Sequence, residues 1–378
     1  MKQTAPFLGI CLVLCCFSVA AQSIEKLDPA MATPSADGAW LWFDALKLGL
    51  EGQGWTDLEQ PFDRMPAAAK GVIRDAVWSL SKCTAGISVR FTTNSSSIAA
   101  RWKPRNDRLD MPHMPATGVS GLDLYVKQDG VWGWIGNGRP EKPGVSETTL
   151  ANDLPAGAHE YRIYLPLYNG VDSLEIGVTK DAEITRAPAL PGGKDKPILF
   201  WGTSILQGGC ASRPGLAYPS IVGRKLDRPT INLGFSGNGK MDPEIVEMIA
   251  KLDLAAYVID CAPNMNPELI TERTEPLVNA LRAARPETPI VLVENVPYQQ
   301  GWFIASKRAA YEDKNAALKA AYDRLVASGV AKLYYVPCTD LFGQDHEATV
   351  DGTHATDLGF MRMAEVIAPV LANILDVK

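Results

Sequence analysis

The stretch Ile198-Leu-Phe-Trp-Gly-Thr-Ser-Ile205 runs from four apolar residues into a glycine-led turn that presents a serine. A short apolar run closed by a turn signal reads as a buried strand. Four more such runs follow, at 230–233, 256–261, 290–293 and 333–336. Segments with helical spacing alternate with them, at 218–226, 243–251, 267–284, 307–328 and 361–375. Strands alternating with helices predict βαβ units, and so a parallel sheet with helices on both faces. Five of each match a flavodoxin-like doubly wound α/β sheet, in which sites form at the carboxyl ends of the strands.

Upstream of the Pro/Gly/Lys-rich stretch 187–197 the period is different. Residues 87–91, 122–126, 160–165 and 173–178 alternate apolar and polar side chains between turn-forming residues, which predicts an all-β sandwich or jelly roll. With 378 residues the chain is long for one domain. The expected division is a leader over 1–21, a β domain over 22–190 and an α/β domain over 191–378. Lys2, the uncharged apolar run from Pro6 to Ala20 and the small residues Ser18-Val-Ala-Ala21 have the pattern of an export signal cleaved near Gln22. Leu14 before Cys15 does not make a lipoprotein anchor, so an exported, unanchored protein is expected, periplasmic or extracellular.

Composition narrows the function classes. The net charge is -6 and no basic run interrupts it, which argues against nucleic acid and against an anionic membrane surface as partners. Of seven cysteines, Cys11, Cys15 and Cys16 fall in the leader. Cys83, Cys210, Cys261 and Cys338 are too dispersed for a disulfide scaffold or a zinc pattern; they read as buried small hydrophobes, with at most one bridge. No metal site and no cofactor are expected. Nothing in the sequence bears on oligomeric state.

The chemistry-bearing residues fall just past the strand ends. Ser204 follows the first strand, and the glycine-rich Asn232-Leu-Gly-Phe-Ser-Gly-Asn-Gly239 closes the second. Asp260-Cys-Ala-Pro-Asn264 closes the third, and Asp351-Gly-Thr-His354 precedes the last helix. A nucleophile, backbone donors and an Asp/His pair on one edge are what ester hydrolysis requires. Each residue also has an ordinary alternative: Ser204 and Gly237 as turn residues, Asp351-Gly as a turn, and Asn264 as a cap for the helix opening at Pro267. A G-x-S-x-G elbow is ruled out by Leu206 in its fifth position, and by an acid only three residues before the histidine.

Taken together, Ser204, Gly237, Asn264 and His354 resemble the four sequence blocks of SGNH/GDSL hydrolases, with Thr203 in place of the usual Asp and Pro263 in place of the usual Gly. Gly121-Leu-Asp-Leu-Tyr125 is similar to the GxDLY motif of a domain that precedes one branch of these enzymes. The resemblance implies Ser204 as nucleophile, His354 as general base oriented by Asp351, and an oxyanion hole from Ser204, Gly237 and Asn264. It further implies hydrolysis of short acyl esters, acetyl above all, on oligo- or polysaccharides. A lipase or lysophospholipase and a non-catalytic carbohydrate-binding protein are the alternatives. His113, in the loop before the GxDLY strand, and Arg213, after the nucleophile, are candidate substrate contacts. The tryptophans Trp40, Trp42, Trp55, Trp78, Trp102, Trp132 and Trp134 suit either sugar stacking or packing.

Overall fold

The computed structural model describes residue 1 and residues 26–375; apart from Met1, the leader read over 1–21 lies outside them. Among the described residues, eleven strands precede the 187–197 stretch: β1 (Thr33–Pro34), β2 (Trp40–Asp44), β3 (Leu50–Glu51), β4 (Ser88–Thr93), β5 (Ile98–Pro104), β6 (Leu122–Gln128), β7 (Val131–Gly138), β8 (Ser146–Ala151), β9 (His159–Tyr164), β10 (Val171–Thr179) and β11 (Ile184–Arg186). They form two antiparallel sheets, ordered β1-β2-β10-β5-β8 and β11-β4-β9-β6-β7, with β3 paired to β4. Side chains from both sheets, among them Trp102, Ile176, Val89, Leu124 and Ile163, share one apolar cluster. Alternate residues of a strand point to opposite faces, and the strand pattern follows from burying one face of each sheet.

The five later strands are parallel: β12 (Ile198–Gly202), β13 (Thr230–Gly234), β14 (Ala256–Asp260), β15 (Ile290–Val293) and β16 (Leu333–Val336). Their order, β13-β12-β14-β15-β16, is that of a doubly wound sheet. One face packs Ile198 and Phe200 against helices Tyr218–Leu226 and Asp357–Ile374. The other packs Leu199 and Trp201 against helices Pro243–Ile249, Pro267–Ala284 and Ala305–Ala327. Every residue of β12, β13 and β14 is buried, which is why these strands read as continuous apolar runs and not as alternations. No helix among the described residues is long and apolar enough to cross a membrane. Cys83, Cys210, Cys261 and Cys338 carry no bridge.

Packing does not follow the chain division near 190. Met65, Ala69, Ile73 and Val77 join the core of the parallel sheet. Beside them Arg64, 1% exposed, crosses to the open edge of β13. Its guanidinium donates to the carbonyls of Asn232 and Gly234, both at 2.9 Å, and to those of Leu80 and Cys83, both at 2.7 Å. Burial lowers its pKa to about 10, yet four carbonyl acceptors satisfy the cation and close off the sheet edge.

The GxDLY segment forms the second tie. The Asp123 carboxylate, fully buried, accepts from Arg213 Nη1 at 2.8 Å, from the Gly215 N–H at 2.9 Å and from Trp134 Nε1 at 2.6 Å. Arg213 also donates to the Tyr125 hydroxyl at 2.6 Å, and a Cβ at Gly215 would stand 2.4 Å from the Tyr125 ring. Arg213, the expected substrate contact, spends its Nη1 on the motif's Asp and Tyr. The tryptophans divide toward packing as well. Trp42 and Trp102 are buried, and Trp132 Nε1 donates to Asp227 at 3.1 Å.

Two consequences are measurable. Arg64→Met leaves the carbonyls of Asn232, Gly234 and Cys83 without a donor, while Leu80 keeps the Cys83 N–H; at about 1–3 kcal/mol for each unmet buried group the loss is at least about 3 kcal/mol. A fall of that size in urea unfolding free energy is expected. The second concerns Asp260, fully buried, with Tyr218 Oη donating to it at 2.9 Å. Burial raises its pKa from 3.8 to about 8. A folded-state value above the unfolded one means the folded chain holds the proton more tightly, so stability falls as pH rises from about 4 through about 8. Asp260→Asn, which cannot ionise, should gain in melting temperature over wild type across that window, with little gap at pH 4.

Candidate active site

The register of the parallel sheet sets the site. Gly202 pairs with Gly234 on one side and Asp260 on the other, so β12, β13 and β14 end level. The turns after them therefore open at one edge, where the order of strands reverses. At Gly202 a Cβ would lie 2.4 Å from the Asp260 carbonyl, which only glycine tolerates.

Ser204 starts a one-turn helix, Ser204–Gln207, behind Thr203, whose hydroxyl accepts from the Ile205 N–H at 3.3 Å. The turn closes on Gly208 at φ 115. Its position is fixed from several sides. Tyr168 Oη donates to the Ser204 carbonyl at 3.1 Å, and Asn232 Nδ2 to the Leu206 carbonyl at 2.8 Å. The Gln207 amide donates to the Leu167 carbonyl and accepts from the Ser236 N–H, each at 3.0 Å.

Ser204 Oγ lies 2.8 Å from His354 Nε2, and His354 Nδ1 lies 2.7 Å from Asp351 Oδ2. The other Asp351 oxygen accepts from the His354 and Thr353 N–H groups, at 2.8 and 3.0 Å. Burial works to raise the Asp351 carboxyl, but those two N–H groups and the His354 ring outweigh it and hold it at about 2. The carboxylate is thus ionised across the working pH range and holds the Nδ1–H tautomer, with Nε2 free to accept a proton.

On the same edge, the Gly237 and Ser204 N–H groups donate to no acceptor among the described residues. Gly237 sits at φ 68 in the turn after β13. Asn264 Oδ1 accepts from the Gly239 N–H at 3.2 Å, which leaves the Nδ2 donor end of that amide uncommitted. The helix at Pro267 is capped by Asn266, whose side chain accepts from the Leu269 N–H at 2.9 Å, so Asn264 is not its cap. Three donors, a hydroxyl and an oriented imidazole therefore share one edge. That set can add a hydroxyl to an ester carbonyl and stabilise the oxyanion formed.

His113 also reaches this edge. Its ring centroid lies 6.2 Å from that of His354, and the side chain is exposed. Met111 and Met114 exchange two backbone hydrogen bonds of 3.0 Å and pack into the sheet's core, pinning the loop tip that bears it. Sequence reasoning missed Tyr168, Gln207 and Arg64. Their partners are remote in the chain, and no local spacing marks them. Among the described residues no group of three or more His, Cys, Asp or Glu is placed to hold a metal ion.

Comparison with known proteins agrees with this architecture. Residues 195–372 match the GDSL-like Lipase/Acylhydrolase family, and residues 40–184 match the GxDLY domain described as the N-terminus of Esterase_SGNH_hydro-type. No functionally curated protein matches the chain. A crystal structure from Bacteroides ovatus, described as a GDSL-like lipase, is 38% identical with a TM-score of 0.83, over 90% of this chain and 99% of that one. A salicylyl-acyltransferase from a tetracycline biosynthetic pathway shares the fold at 18% identity, with a TM-score of 0.71 over 92% of this chain and 98% of that one. So does a family two carbohydrate esterase from Clostridium thermocellum in complex with cellohexaose, at 15% identity and a TM-score of 0.54, over 77% of this chain and 93% of that one. With its two matched regions and a 38% identical neighbour along nearly its whole length, the chain belongs to the SGNH/GDSL hydrolase family, in the branch that carries an N-terminal GxDLY domain.

Proposed function

We propose that the protein is an exported serine esterase that removes short acyl groups, acetyl in the first place, from carbohydrates. The observation that carries the reading is the relay from Ser204 Oγ through His354 to Asp351, at 2.8 and 2.7 Å, on the sheet edge that also bears three donors without an acceptor among the described residues. His354 Nε2 takes the proton as Ser204 Oγ bonds to the ester carbonyl carbon. The oxyanion accepts from the Ser204 and Gly237 N–H groups and from Asn264 Nδ2. On collapse the sugar alkoxide leaves with the proton held on His354. Water, deprotonated by the same nitrogen, then splits the acyl-serine and restores the enzyme.

Carbohydrate esterases are among the structures of this fold, and the leader pattern points outside the cytoplasm, where acylated polysaccharides lie. His113, exposed on the rim beside His354, is in position to donate to a sugar hydroxyl next to the ester.

Purified enzyme screened on acetylated xylan, mannan and pectin fragments should release acetate from at least one of them. In Ser204→Ala kcat should fall at least about 10,000-fold on that substrate and on 4-nitrophenyl acetate. Asn264→Ala removes one oxyanion donor and should cost roughly 100- to 1000-fold in kcat. His113→Ala should act mainly on binding, raising KM for the acetylated oligosaccharide several-fold more than it lowers kcat. Glycan binding without turnover of any ester would contradict the proposal. Activity that climbs with acyl length beyond butyryl would point to a lipase.

A further inference from the structure

Beyond the catalytic edge, the segment after β15 runs through the helical turn Gln299–Trp302 and leaves three consecutive apolar side chains in water. Trp302 is 62% exposed, Phe303 79% and Ile304 43%. The Trp302 indole is stacked on the His346 imidazole, with ring centroids 5.1 Å apart and planes 15° from parallel. His346 itself holds φ 64, a left-handed backbone that residues other than glycine seldom adopt. Both rings are exposed, so neither the stack nor the unusual backbone serves a core. A large apolar surface kept in solvent beside a cleft marks a place where something else binds.

Trp302 and His346 line a cavity of about 620 Å³ whose other wall is the helix Ala305–Ala327. That helix lines the cavity with Arg308, Tyr311, Glu312, Asn315, Ala316 and Lys319, and the Asn315 amide is spent on the Asn295 backbone. Arg308 and Glu312 have no ion pair among the described residues, and with Glu294 and Lys319 the lining carries two charges of each sign. Such a balance gives no net attraction for a phosphate or a polyanion, but it offers donors and acceptors to a neutral ligand. Lys319 pairs with Asp323 and Glu294 accepts from Tyr335 and the Cys338 N–H, so Arg308 and Glu312 are the charged groups left for a ligand, and an aromatic face beside them matches a pyranose with its C–H face and hydroxyl rim.

The cavity shares a wall with the catalytic loop. Gln299 Oε1 accepts from the Ala348 N–H at 2.8 Å and the Thr349 hydroxyl at 3.1 Å, and its own N–H donates to the Gly352 carbonyl at 2.8 Å. Gln300 Nε2 donates to the Asp351 carbonyl at 3.0 Å. We infer that this groove binds neutral pyranose units of the chain that bears the ester, with one sugar ring on the face of Trp302. The inference rests on the carbohydrate-ester reading for its ligand class, but sugar binding in the groove is measurable without any ester.

The test is calorimetric titration of the full-length mature protein with xylohexaose, mannohexaose and cellohexaose, none of which carries an acyl group. At least one should bind, Trp302→Ala should weaken it at least tenfold, and Trp302→Tyr should stay within about threefold by keeping an aromatic face. Absence of binding to all three, or equal binding by Trp302→Ala, overturns the inference. So does a dimer in sedimentation that Trp302→Ala dissociates, since the patch would then belong to a second copy. Hexasaccharide binding lost in Trp302→Ala, with no acetylated glycan ever cleaved, would sink the esterase reading and leave the groove standing. Acetate release with KM unchanged by Trp302→Ala would do the reverse.

Discussion

A helix of one turn cannot hold itself. Nucleation fixes several residues for a single hydrogen bond, and Ser204–Gln207 has no length over which to recover that cost. Everything at the catalytic edge nevertheless depends on where this turn puts Ser204 Oγ. The turn is positioned by its neighbours: Tyr168 on the Ser204 carbonyl, Asn232 on the Leu206 carbonyl, and Gln207 reaching to Leu167 and Ser236. Two of those partners, Tyr168 and Leu167, come from the β-rich region. Ser204 is thus placed by the junction of the two halves of the chain and not by the α/β sheet alone.

The same reasoning explains the Gly-x-Asp-Leu-Tyr segment. Its Asp and Tyr receive Arg213, and its Asp the Gly215 N–H, from the loop just past Ser204. Burial raises the pKa of Asp123, and Arg213 is the first of the groups that oppose that rise. Arg64 does comparable work at the sheet edge, where its cation is met by carbonyl oxygens and by no carboxylate. Both ties end on segments that flank the catalytic turns, one after Ser204 and one before Gly237. Motion between the halves would therefore reach the Ser204 and Gly237 N–H groups directly.

Much of the α/β half was legible because its signals are local. β15, β16 and the helix Pro267–Ala284 end where the apolar runs and helical spacing end. The last helix starts at Asp357, four residues before the expected 361, because the Thr356 side chain caps it by accepting from the Gly359 N–H. In the β-rich half, four of eleven strands were visible, those with clean alternation. β5 escaped because its Ile98-Ala-Ala-Arg101 start breaks the alternation, and β7 because Gly133, Gly136 and Gly138 interrupt its pattern. At Gly136 a Cβ would stand 2.0 Å from the Leu150 carbonyl, so the glycine records a contact that no local pattern shows. The proposed site residues stood out because they fall in recognisable blocks just past β12, β13, β14 and β16. Tyr168, Arg64 and the aromatic groove at Trp302 could not, since each depends on segments far apart in the chain. The tryptophans weighed for sugar contact include Trp42 and Trp102, which are core, whereas Trp302, which borders a cleft, carries no pattern that sets it apart.

The central claim is that Ser204 attacks the substrate and carries the acyl group. A fluorophosphonate probe measures this directly, because it bonds only to a serine activated by its surroundings. Intact-mass and peptide-level spectrometry of the treated protein should show one adduct, on Ser204. The adduct should be absent in Ser204→Ala and form far more slowly in His354→Ala, which leaves the hydroxyl in place but removes its base. An adduct on another residue, or ester turnover that persists in Ser204→Ala without one, would contradict the account.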